Sequence, residues 1–323
     1  MVPGSGSSTG ETMRSGLRWV VAGLLGLTAL GLATRWVDTT HLRVPVLQSV
    51  FPVLGVLAVL LLIGCIALRD VRFVVAAALV TIAPVVLGIR SLIPDTVAAG
   101  ARDEVVMVSN LQYGQADPRA IVREVRDRHV TALVLVEVTP DAAARLRQAG
   151  LDAALPHQVG APRPGADGTV IRSAHPLSER ESVHVPRRFD QPVATVHAPE
   201  GDYVLRAAHP YPPIPDLVRS WRRQLDELAT WRAAQPADVP LVIAGDFNAS
   251  SSHPGFRALA RTMHDAHGST GAGWVRTWPH EGRTPAFVQI DHVLVRGMGV
   301  VDAGVTTVPR TDHAAVWARL RVG

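Results

Sequence analysis

The residues best suited to chemistry lie where apolar runs of the sequence end. Asn110 follows VVMVS, Glu137 follows ALVLV, and His209 follows YVLRAA. Asp246 and Asn248 follow LVIAG, in the segment GDFN. A single acid in such a place usually forms a turn or caps a helix. Its repetition after several runs predicts that strand ends meet at one sheet edge and bring these side chains into one pocket.

Two further sites complete the set. Asp291 lies in the run QIDHVLV, and Asp312 with His313 precedes AAVWARL. Carboxylates gathered in one pocket repel one another unless a cation neutralises them. Oxygen ligands favour Mg²⁺, with Mn²⁺ as a substitute, whereas one cysteine and scattered histidines argue against zinc. His292 is expected to pack behind the site, and His253, before a proline, to stand at a helix entry.

The elements that must position these residues alternate between strand and helix patterns. Strands are predicted over residues 104–109, 132–136, 169–173, 193–197, 203–209, 241–244, 289–295, 299–308 and 315–322. Helices are predicted after Asp117-Pro118 and after Thr139-Pro140, where an Asp or Thr cap precedes a proline. A third helix is predicted around Trp221 and Leu228. Alternating elements followed by strand pairs predict two packed sheets with helices outside.

The first hundred residues have a different character. Three apolar stretches bracketed by arginines predict transmembrane helices over about residues 19–36, 45–68 and 72–90. A cleaved signal peptide is the alternative for the first of them. It is disfavoured because no small-residue cleavage site follows and two more spans come after it. The predicted organisation is therefore a disordered tail at 1–13, a membrane unit at 14–93, a linker at 94–102 and a domain at 103–323.

Charge and cysteine content exclude several classes of protein. The chain has no lysine, and residues 101–323 carry 25 arginines against 24 acidic residues. A protein that binds long nucleic acid usually shows a basic footprint, so such a partner is not favoured. Cys65 is the only cysteine, which excludes a disulfide framework within one chain.

Membrane orientation is less clearly encoded. The arginines near the spans divide almost evenly between the two sides: Arg14, Arg18, Arg69 and Arg72 on one, and Arg35, Arg43, Arg90 and Arg102 on the other. Cytoplasmic loops carry the excess of positive charge in most membrane proteins. The tight, doubly basic turn at 69–72 favours a multi-pass cell-membrane protein with the domain outside the cell.

The ordered set of motifs resembles the endonuclease/exonuclease/phosphatase superfamily, which has the deoxyribonuclease-like fold. The motifs are Asn110, VLVEV, AAHPYPP, AGDFNAS, QIDHVLV and TDHAAV, and the resemblance covers about residues 103–321. It implies a four-layer α/β sandwich, which agrees with the alternation of elements. The membrane-anchored arrangement also resembles actinobacterial members, among them teicoplanin-resistance membrane proteins.

The resemblance also implies roles. Glu137 matches the principal metal-binding glutamate, with Asn110 and Asp312 close to the metal. Asp246 matches the aspartate that orients or deprotonates the attacking water.

The remaining implied roles concern the phosphate. Asn248 holds the water or a phosphoryl oxygen, and His209 and His313 contact the phosphate. Asp291 holds the ring of His313, because a carboxylate bonded to an imidazole fixes its tautomer and favours the charged form.

The implied activity is metal-dependent hydrolysis of a phosphate ester. A membrane anchor without a basic footprint favours a lipid-linked or cell-envelope phosphate, with membrane lipid as the second partner. The alternatives are a membrane-tethered nuclease, a catalytically weak phosphate-binding module, and a membrane protein in which the domain is regulatory.

Overall fold

The computed structural model describes residues 8–180 and 189–322. Its helices are α1 Ser8–Ala33, α2 Arg43–Ser49, α3 Phe51–Leu68, α4 Val71–Arg90, α5 Pro118–Asp127, α6 Pro140–Gln148, α7 Leu151–Ala154, α8 Val218–Ala234, α9 Pro254–Ala260 and α10 Ala266–Ser269. Its strands are β1 Glu104–Asn110, β2 Ala132–Val136, β3 His157–Ala161, β4 Thr169–Ser173, β5 Leu177–Glu179, β6 Val193–Ala198, β7 Gly201–Ala208, β8 Leu241–Asp246, β9 His264–Asp265, β10 Asp291–Arg296, β11 Met298–Thr307 and β12 Ala314–Val322.

Two six-stranded sheets form the centre of the second unit. Their strand orders are β11-β12-β1-β2-β4-β3 and β5-β6-β7-β8-β10-β9. Within each sheet one central pair is parallel, β1 with β2 and β7 with β8, and the other pairings are antiparallel. Because parallel strands end at the same edge, the residues that follow β1 and β2 must be neighbours, as must those that follow β7 and β8.

Apolar faces of the strands build three layers of core. Val106 and Val134 of the first sheet pack against Val242 of the second and fill the space between the sheets. The outer face of the first sheet packs on α5 and α6, and the outer face of the second packs on α8 and α9. The result is helix, sheet, sheet, helix, so the predicted four-layer α/β sandwich is confirmed.

Local signals explain where helices begin. The Asp117 carboxylate accepts hydrogen bonds from the N–H groups of Arg119 and Ala120 at the start of α5. The Thr139 hydroxyl accepts from Ala142 at the start of α6. Each side chain satisfies N–H groups that have no partner within the helix, which is why these residue types precede the two prolines.

The three predicted apolar helices are present. Candidate membrane spans cover Gly16–Trp36, Phe51–Leu68 and Val71–Arg90, each long and apolar enough to cross a bilayer. The first helix begins at Ser8, so residues 8–13 of the predicted disordered tail are helical. Residues 1–7 lie outside the described part of the chain.

The second predicted span, over residues 45–68, is interrupted. The helix breaks at Val50, which separates the short α2 from the apolar α3. Pro52 has no N–H to donate to a preceding turn, and a proline fits only in the first turn of a helix. A new helix therefore begins at Phe51, with the proline as its second residue.

The second unit packs on the ends of the apolar helices through α8, α9 and the loop before α9. Nε2 of His253 donates to the carbonyl of Pro45 at 3.0 Å, and Arg257 donates to the carbonyl of Arg35 at 2.7 Å. Arg222 forms an ion pair with Asp38, with Nε 2.6 Å from a carboxylate oxygen. These contacts fix the position of the membrane unit relative to the sandwich.

The predicted linker, residues 94–102, also packs on the sandwich. Asp95 N–H donates to the carbonyl of Ser269 at 2.7 Å, and Val97 N–H donates to Val300 at 2.8 Å. These bonds hold the linker along α10 and β11 rather than leaving it as a free tether.

Candidate active site

The eight predicted site residues lie at one edge of the two sheets. Asn110 is the last residue of β1 and pairs with Val136, the residue before Glu137. Asp246 ends β8 and pairs with Asp291, the first residue of β10. The pairing register of the strands therefore brings these residues together through backbone contacts alone.

Asn110 connects the two sheets. Its side-chain N–H group donates to Glu137 at 3.2 Å and to Asp246 at 3.0 Å. Its side-chain oxygen accepts the backbone N–H of Gln112 at 2.8 Å. The amide is buried and fully oriented, so it holds a carboxylate from each sheet in fixed positions.

Glu137 stands immediately after β2 in a left-handed backbone conformation, with φ of 58°. Its carboxylate accepts the N–H of Tyr113 at 2.7 Å. Burial raises the pKa of Glu137 above its usual value, and the hydrogen bonds from Tyr113 and Asn110 oppose that rise. A left-handed conformation is uncommon outside glycine, so the chain adopts it here to turn this carboxylate into the site.

Asp246 is almost fully buried at the end of β8. One of its oxygens accepts the backbone N–H of Asn248 at 2.7 Å, and the other accepts from Asn110. Burial raises the pKa of Asp246 to about 7, with the Asp291 charge adding to the rise and His313 opposing it. A carboxyl group titrating near neutral pH is suited to accept a proton from water.

His313 and Asp291 form a buried pair. Nδ1 of His313 donates to the Asp291 carboxylate at 3.0 Å, and Nε2 lies 3.8 Å from Asp246 and 3.9 Å from Asp312. Burial alone would lower the pKa of His313, but Asp291, Asp246 and Asp312 outweigh it and raise the pKa to about 10. The imidazole is therefore positively charged at neutral pH and presents an Nε2–H donor to the pocket.

His209 follows β7 and is buried against the ring of Phe189, with 4.5 Å between ring centroids. Its Nε2 lies 3.9 Å from Glu137, and its Nδ1 has no hydrogen-bond partner among the described residues. Burial and the charge of His313 lower the pKa of His209 to about 3. This histidine is neutral here, so it can donate a hydrogen bond but adds no positive charge to the site.

Asn248 and Asp312 complete the cluster. Asn248 has a left-handed backbone, with φ of 49°, and its side chain donates to the carbonyl of Pro210 at 3.1 Å. The Asp312 carboxylate accepts the indole N–H of Trp278 at 3.0 Å. Contacts within 4 Å thus link all eight predicted residues into one network across both sheets.

Several orienting residues were not anticipated. Thr311 accepts the N–H of His313 and donates to the carbonyl of Asn110, and Thr277 accepts the N–H of Asp291. Gln112 accepts the N–H of Asp312 through its side-chain oxygen at 3.0 Å. Thr277 and Trp278 lie in the segment RTWP, which does not follow a predicted strand, so the strand-end argument does not find them.

The donor set fits a divalent cation. Four carboxylates converge here on one charged imidazole, and burial still raises the pKa of both Glu137 and Asp246, so a further cation would stabilise their charged forms. Asp246, Asp291 and His313 each place a ligand atom within 4.8 Å of the others. Two of these three, however, already form a hydrogen-bonded ion pair whose cation is the imidazolium, which repels a metal. Glu137 with Asn110 and Asp312 is the better candidate set.

The two histidines expected to be structural occupy such positions. His292 donates from Nδ1 to Asp265 at 2.6 Å and from Nε2 to the carbonyl of Ala249 at 3.0 Å, behind the site. His253 is the residue before α9, and its Nδ1 accepts the N–H of Ser250. Neither ring has a free nitrogen for substrate.

Known proteins and structures place these observations in a family. The model of the endonuclease/exonuclease/phosphatase family matches residues 107–313. The structure of an endonuclease/exonuclease/phosphatase from Beutenbergia cavernae is 23% identical with a TM-score of 0.53, covering 69% of this chain and 72% of that one. Comparison with curated proteins finds no match.

Two other solved structures share the fold at lower identity. D. rerio TDP2 complexed with a single-strand DNA product is 13% identical with a TM-score of 0.54, covering 68% of this chain and 99% of that one. A mannosyl-6-phosphatase from Bacteroides thetaiotaomicron is 14% identical with a TM-score of 0.51, covering 67% and 99%. With more than half of its length matched by the family model, the chain belongs to the endonuclease/exonuclease/phosphatase family.

Proposed function

We propose that this chain is a membrane-anchored, divalent-metal-dependent phosphoesterase that acts on a lipid-linked or cell-envelope phosphate ester. The observation that carries the proposal is the single network formed by the eight site residues. It joins a water-activating carboxylate, a charged imidazole and a set of oxygen ligands at one sheet edge. Each of the three contributes to hydrolysis of a phosphate ester: the first activates water, and the other two stabilise the charge of the transition state.

The residues divide the work of hydrolysis. Asp246, held by Asn110 and Asn248, orients a water molecule and accepts its proton as the new phosphorus–oxygen bond forms. His313 donates from Nε2 to a phosphoryl oxygen, and its charge offsets the negative charge of the transition state. The ester bond to phosphorus breaks, the leaving alkoxide takes a proton from solvent water, and Asp246 returns the proton that it accepted to solvent.

Glu137, Asn110 and Asp312 would hold Mg²⁺ or Mn²⁺. When bound, the cation neutralises phosphoryl oxygens and lowers the energy of the charged transition state. His209 is placed beside Glu137 and contributes a neutral hydrogen bond to a phosphoryl oxygen. Asp291 acts through His313, whose ring it orients.

The docked membrane unit supports a membrane-borne substrate. His253 lies five residues after Asn248, on the loop that leaves the site, and it bonds to α2 beside the candidate spans. The site is therefore held close to the bilayer surface, where lipid headgroups are concentrated. The proposal places the sandwich outside the cell and makes the chain a multi-pass protein of the cell membrane.

A membrane-tethered nuclease is the second candidate. It is supported by the fold shared with D. rerio TDP2, whose structure holds a single-strand DNA product. The balance of 25 arginines and 24 acidic residues in residues 101–323 disfavours it, because binding to a polyanion draws on an excess of cations.

One substrate panel separates the candidates. The full chain in nanodiscs is assayed with Mg²⁺, Mn²⁺ or excess chelator on a lipid phosphate, a soluble phosphomonoester, a soluble phosphodiester and single-stranded DNA. We expect metal-dependent cleavage of the lipid phosphate, absent in Asp246→Ala. Cleavage of DNA alone would establish the nuclease, and full activity in chelator would refute metal dependence.

A further inference from the structure

A large crevice lies between the apolar helices and the sandwich. Its volume is about 620 Å³, enough for a hydrocarbon chain of ordinary length. One wall is formed by α3, from Phe51 to Leu60, and by the second half of α4, including Leu87 and Gly88. Nine residues of helix correspond to about 13 Å, so the crevice extends well into the candidate spans.

The opposite wall belongs to the loops of the active site. Ser250, Ser251 and Ser252 line the crevice on the loop that carries Asn248, and Gln289 lines it two residues before Asp291. Residues two apart in a chain lie within about 7 Å of each other. The crevice therefore extends from the apolar helices to loop residues next to the site, although none of the eight site residues lines it.

The polarity of the crevice changes along this path. Its helical wall is apolar apart from Arg35 and Ser91. The wall formed by the sandwich mixes three serines, Gln289 and Asp265, whose carboxylate is bonded to His292, with Trp274, Val275 and Val288. An amphipathic cavity of this kind matches a molecule with an apolar tail and a polar head. A water-soluble substrate would not be stabilised by the apolar half of the crevice, because its polar groups would lose hydrogen bonds to water there.

Arg35 gives the crevice a charge at the level where the helices end. It lines the crevice and is only 9% exposed, yet its guanidinium makes no hydrogen bond or ion pair with the described residues. Its one close partner is the ring of Phe51, 4.9 Å away. A buried cation without a counter-ion is costly, so this position favours an anionic group.

We infer that the crevice holds the hydrocarbon tail of a membrane lipid whose phosphate-bearing head reaches the active site beside Arg35. The inference rests on the proposed function and specifies how its substrate is bound. The lipid enters from the bilayer along the faces of α3 and α4 that line the crevice, and its tail remains at membrane depth while the phosphate is cleaved. Substrate selection then depends on the tail as well as on the phosphate.

Gly88 allows a direct test. It lines the crevice, and a Cβ added there would meet no atom within 4 Å. Gly88→Leu therefore adds bulk to the wall of the crevice from a Cβ that has open space around it. Gly64 is a matched control, because it is an exposed glycine of α3 with equally open surroundings and lies outside the crevice lining.

The experiment uses the full chain in nanodiscs containing long-chain phosphatidate, with 4-nitrophenyl phosphate as a soluble comparison. We expect Gly88→Leu to lower kcat/KM for phosphatidate about tenfold or more while the rate on the soluble ester is retained. Gly64→Leu should match the unmodified protein on both. Equal phosphatidate hydrolysis by Gly88→Leu and the unmodified protein would overturn the inference and leave the phosphoesterase proposal standing.

A binding readout separates failure of the inference from failure of the proposed function. Phosphatidate with a photoreactive diazirine in its tail is cross-linked to the full chain in chelator, where it stays uncut. We expect cross-links in peptides of α3 and α4 that line the crevice, reduced in Gly88→Leu and retained in Gly64→Leu. If cross-links form but no ester is cleaved, the lipid site stands and the activity is wrong. Absence of these cross-links in the unmodified protein refutes the lipid site whatever the activity.

Discussion

At the scale of single residues, the two groups closest to the chemical step are Asp246 and His313, with 3.8 Å between them. The pKa of Asp246 is near neutral, as suits a general base, and His313 is a cation hydrogen-bonded to Asp291. We expect Asp246→Ala or His313→Ala to lower kcat by on the order of 10² or more, the usual scale for losing a general base or an oxyanion donor. Steady-state kinetics on a soluble phosphoester measures the effect.

The control for this prediction is folding. Both residues stand where a strand ends or begins, so the variants should keep the circular dichroism spectrum of the unmodified protein. Asp291→Asn should lower kcat as well, because an amide cannot stabilise the charged ring of His313. Near-normal turnover in either alanine variant would show that the residue lies outside the chemical step.

Glu137 provides a test of the metal site. Glu137→Gln keeps the shape of the side chain but removes one charged oxygen ligand. We expect the Mg²⁺ concentration required for half-maximal activity to rise at least tenfold, with partial recovery at high Mg²⁺. Metal titration of activity measures this shift, with Gln148→Glu, on the exposed end of α6, as a charge-change control. An unchanged requirement would remove Glu137 from the metal site.

His209 predicts a pH dependence of stability. Its pKa in the folded protein, about 3, lies below the ordinary value of 6.5, so folding favours the neutral ring. The stabilisation is complete above pH 6.5 and is lost as the pH falls towards 3, by up to about 1.4 kcal/mol per pH unit. We expect the melting temperature of metal-free protein to fall less steeply between pH 6.5 and 4 in His209→Asn. Parallel curves would contradict this assignment.

At the scale of elements, the close approach of two strands explains why GDFN begins with a glycine, Gly245. It pairs with Ala208 across the parallel strands β7 and β8, and a Cβ at this position would lie 1.9 Å from the Ala208 carbonyl oxygen. Gly245→Ala must therefore separate β7, which His209 follows, from β8, which ends at Asp246. We expect a loss of about 3 kcal/mol of stability from strain and overpacking, measured by thermal unfolding.

The comparison for that variant is Gly282→Ala. Gly282 is exposed, and its nearest atom would lie 3.9 Å from an added Cβ. This change should leave the melting temperature within a degree or two of the unmodified protein. If Gly245→Ala were equally harmless, the two strands would have more freedom than their register indicates.

Elements differ in how far the sequence predicts them. β2 and β8 are buried at every position, so their continuous apolar runs mark them clearly. β3 buries Val159 alone and β5 has only three residues, so neither carries a periodic signal, and both were missed. The break at Val50 was missed because composition cannot distinguish one long apolar stretch from a bent pair of helices.

The candidate site likewise contains residues that the sequence predicts and residues that it does not. That its eight candidate residues lie together was predictable because each stands beside a strong strand and within a recognisable motif. Thr277 and Thr311 were not, because threonine has no local pattern that marks it as an orienting group. Thr277 bonds to a residue 14 positions along the chain, a contact that only the assembled fold creates.

At the scale of the whole molecule, the membrane unit and the sandwich are held together. The linker packs on the sandwich, and α8 and α9 contact the ends of the apolar helices. The sandwich lies beside Phe51, at the start of α3, whereas the turn between α3 and α4 is at the other end. An 18-residue helix is about 27 Å long, so that turn lies about a membrane's core away from the sandwich. On the sandwich side, Arg222 pairs with Asp38, and Arg257 donates to the backbone carbonyl of Arg35.

The last prediction concerns which side of the membrane the sandwich occupies. The arginines near the spans divide almost evenly between the two sides, but the tight, doubly basic turn at Arg69 and Arg72 favours a cytoplasmic position for the far side, so we expect the sandwich outside the cell. Cys65 is buried and is the only cysteine, so Cys65→Ala provides a clean background for labelling. Gln148→Cys then reports on the sandwich, and Val71→Cys, at a position 74% exposed, reports on the far turn.

A membrane-impermeant maleimide applied to intact cells should label Gln148→Cys and spare Val71→Cys until the cells are permeabilised. Both positions are exposed, so a difference in labelling reflects the membrane barrier and not burial within the protein. Labelling of Val71→Cys alone would place the sandwich in the cytoplasm and direct the search for a substrate to the inner leaflet. Because the crevice opens at the level of the sandwich, the labelled side is also the leaflet from which the lipid must be drawn.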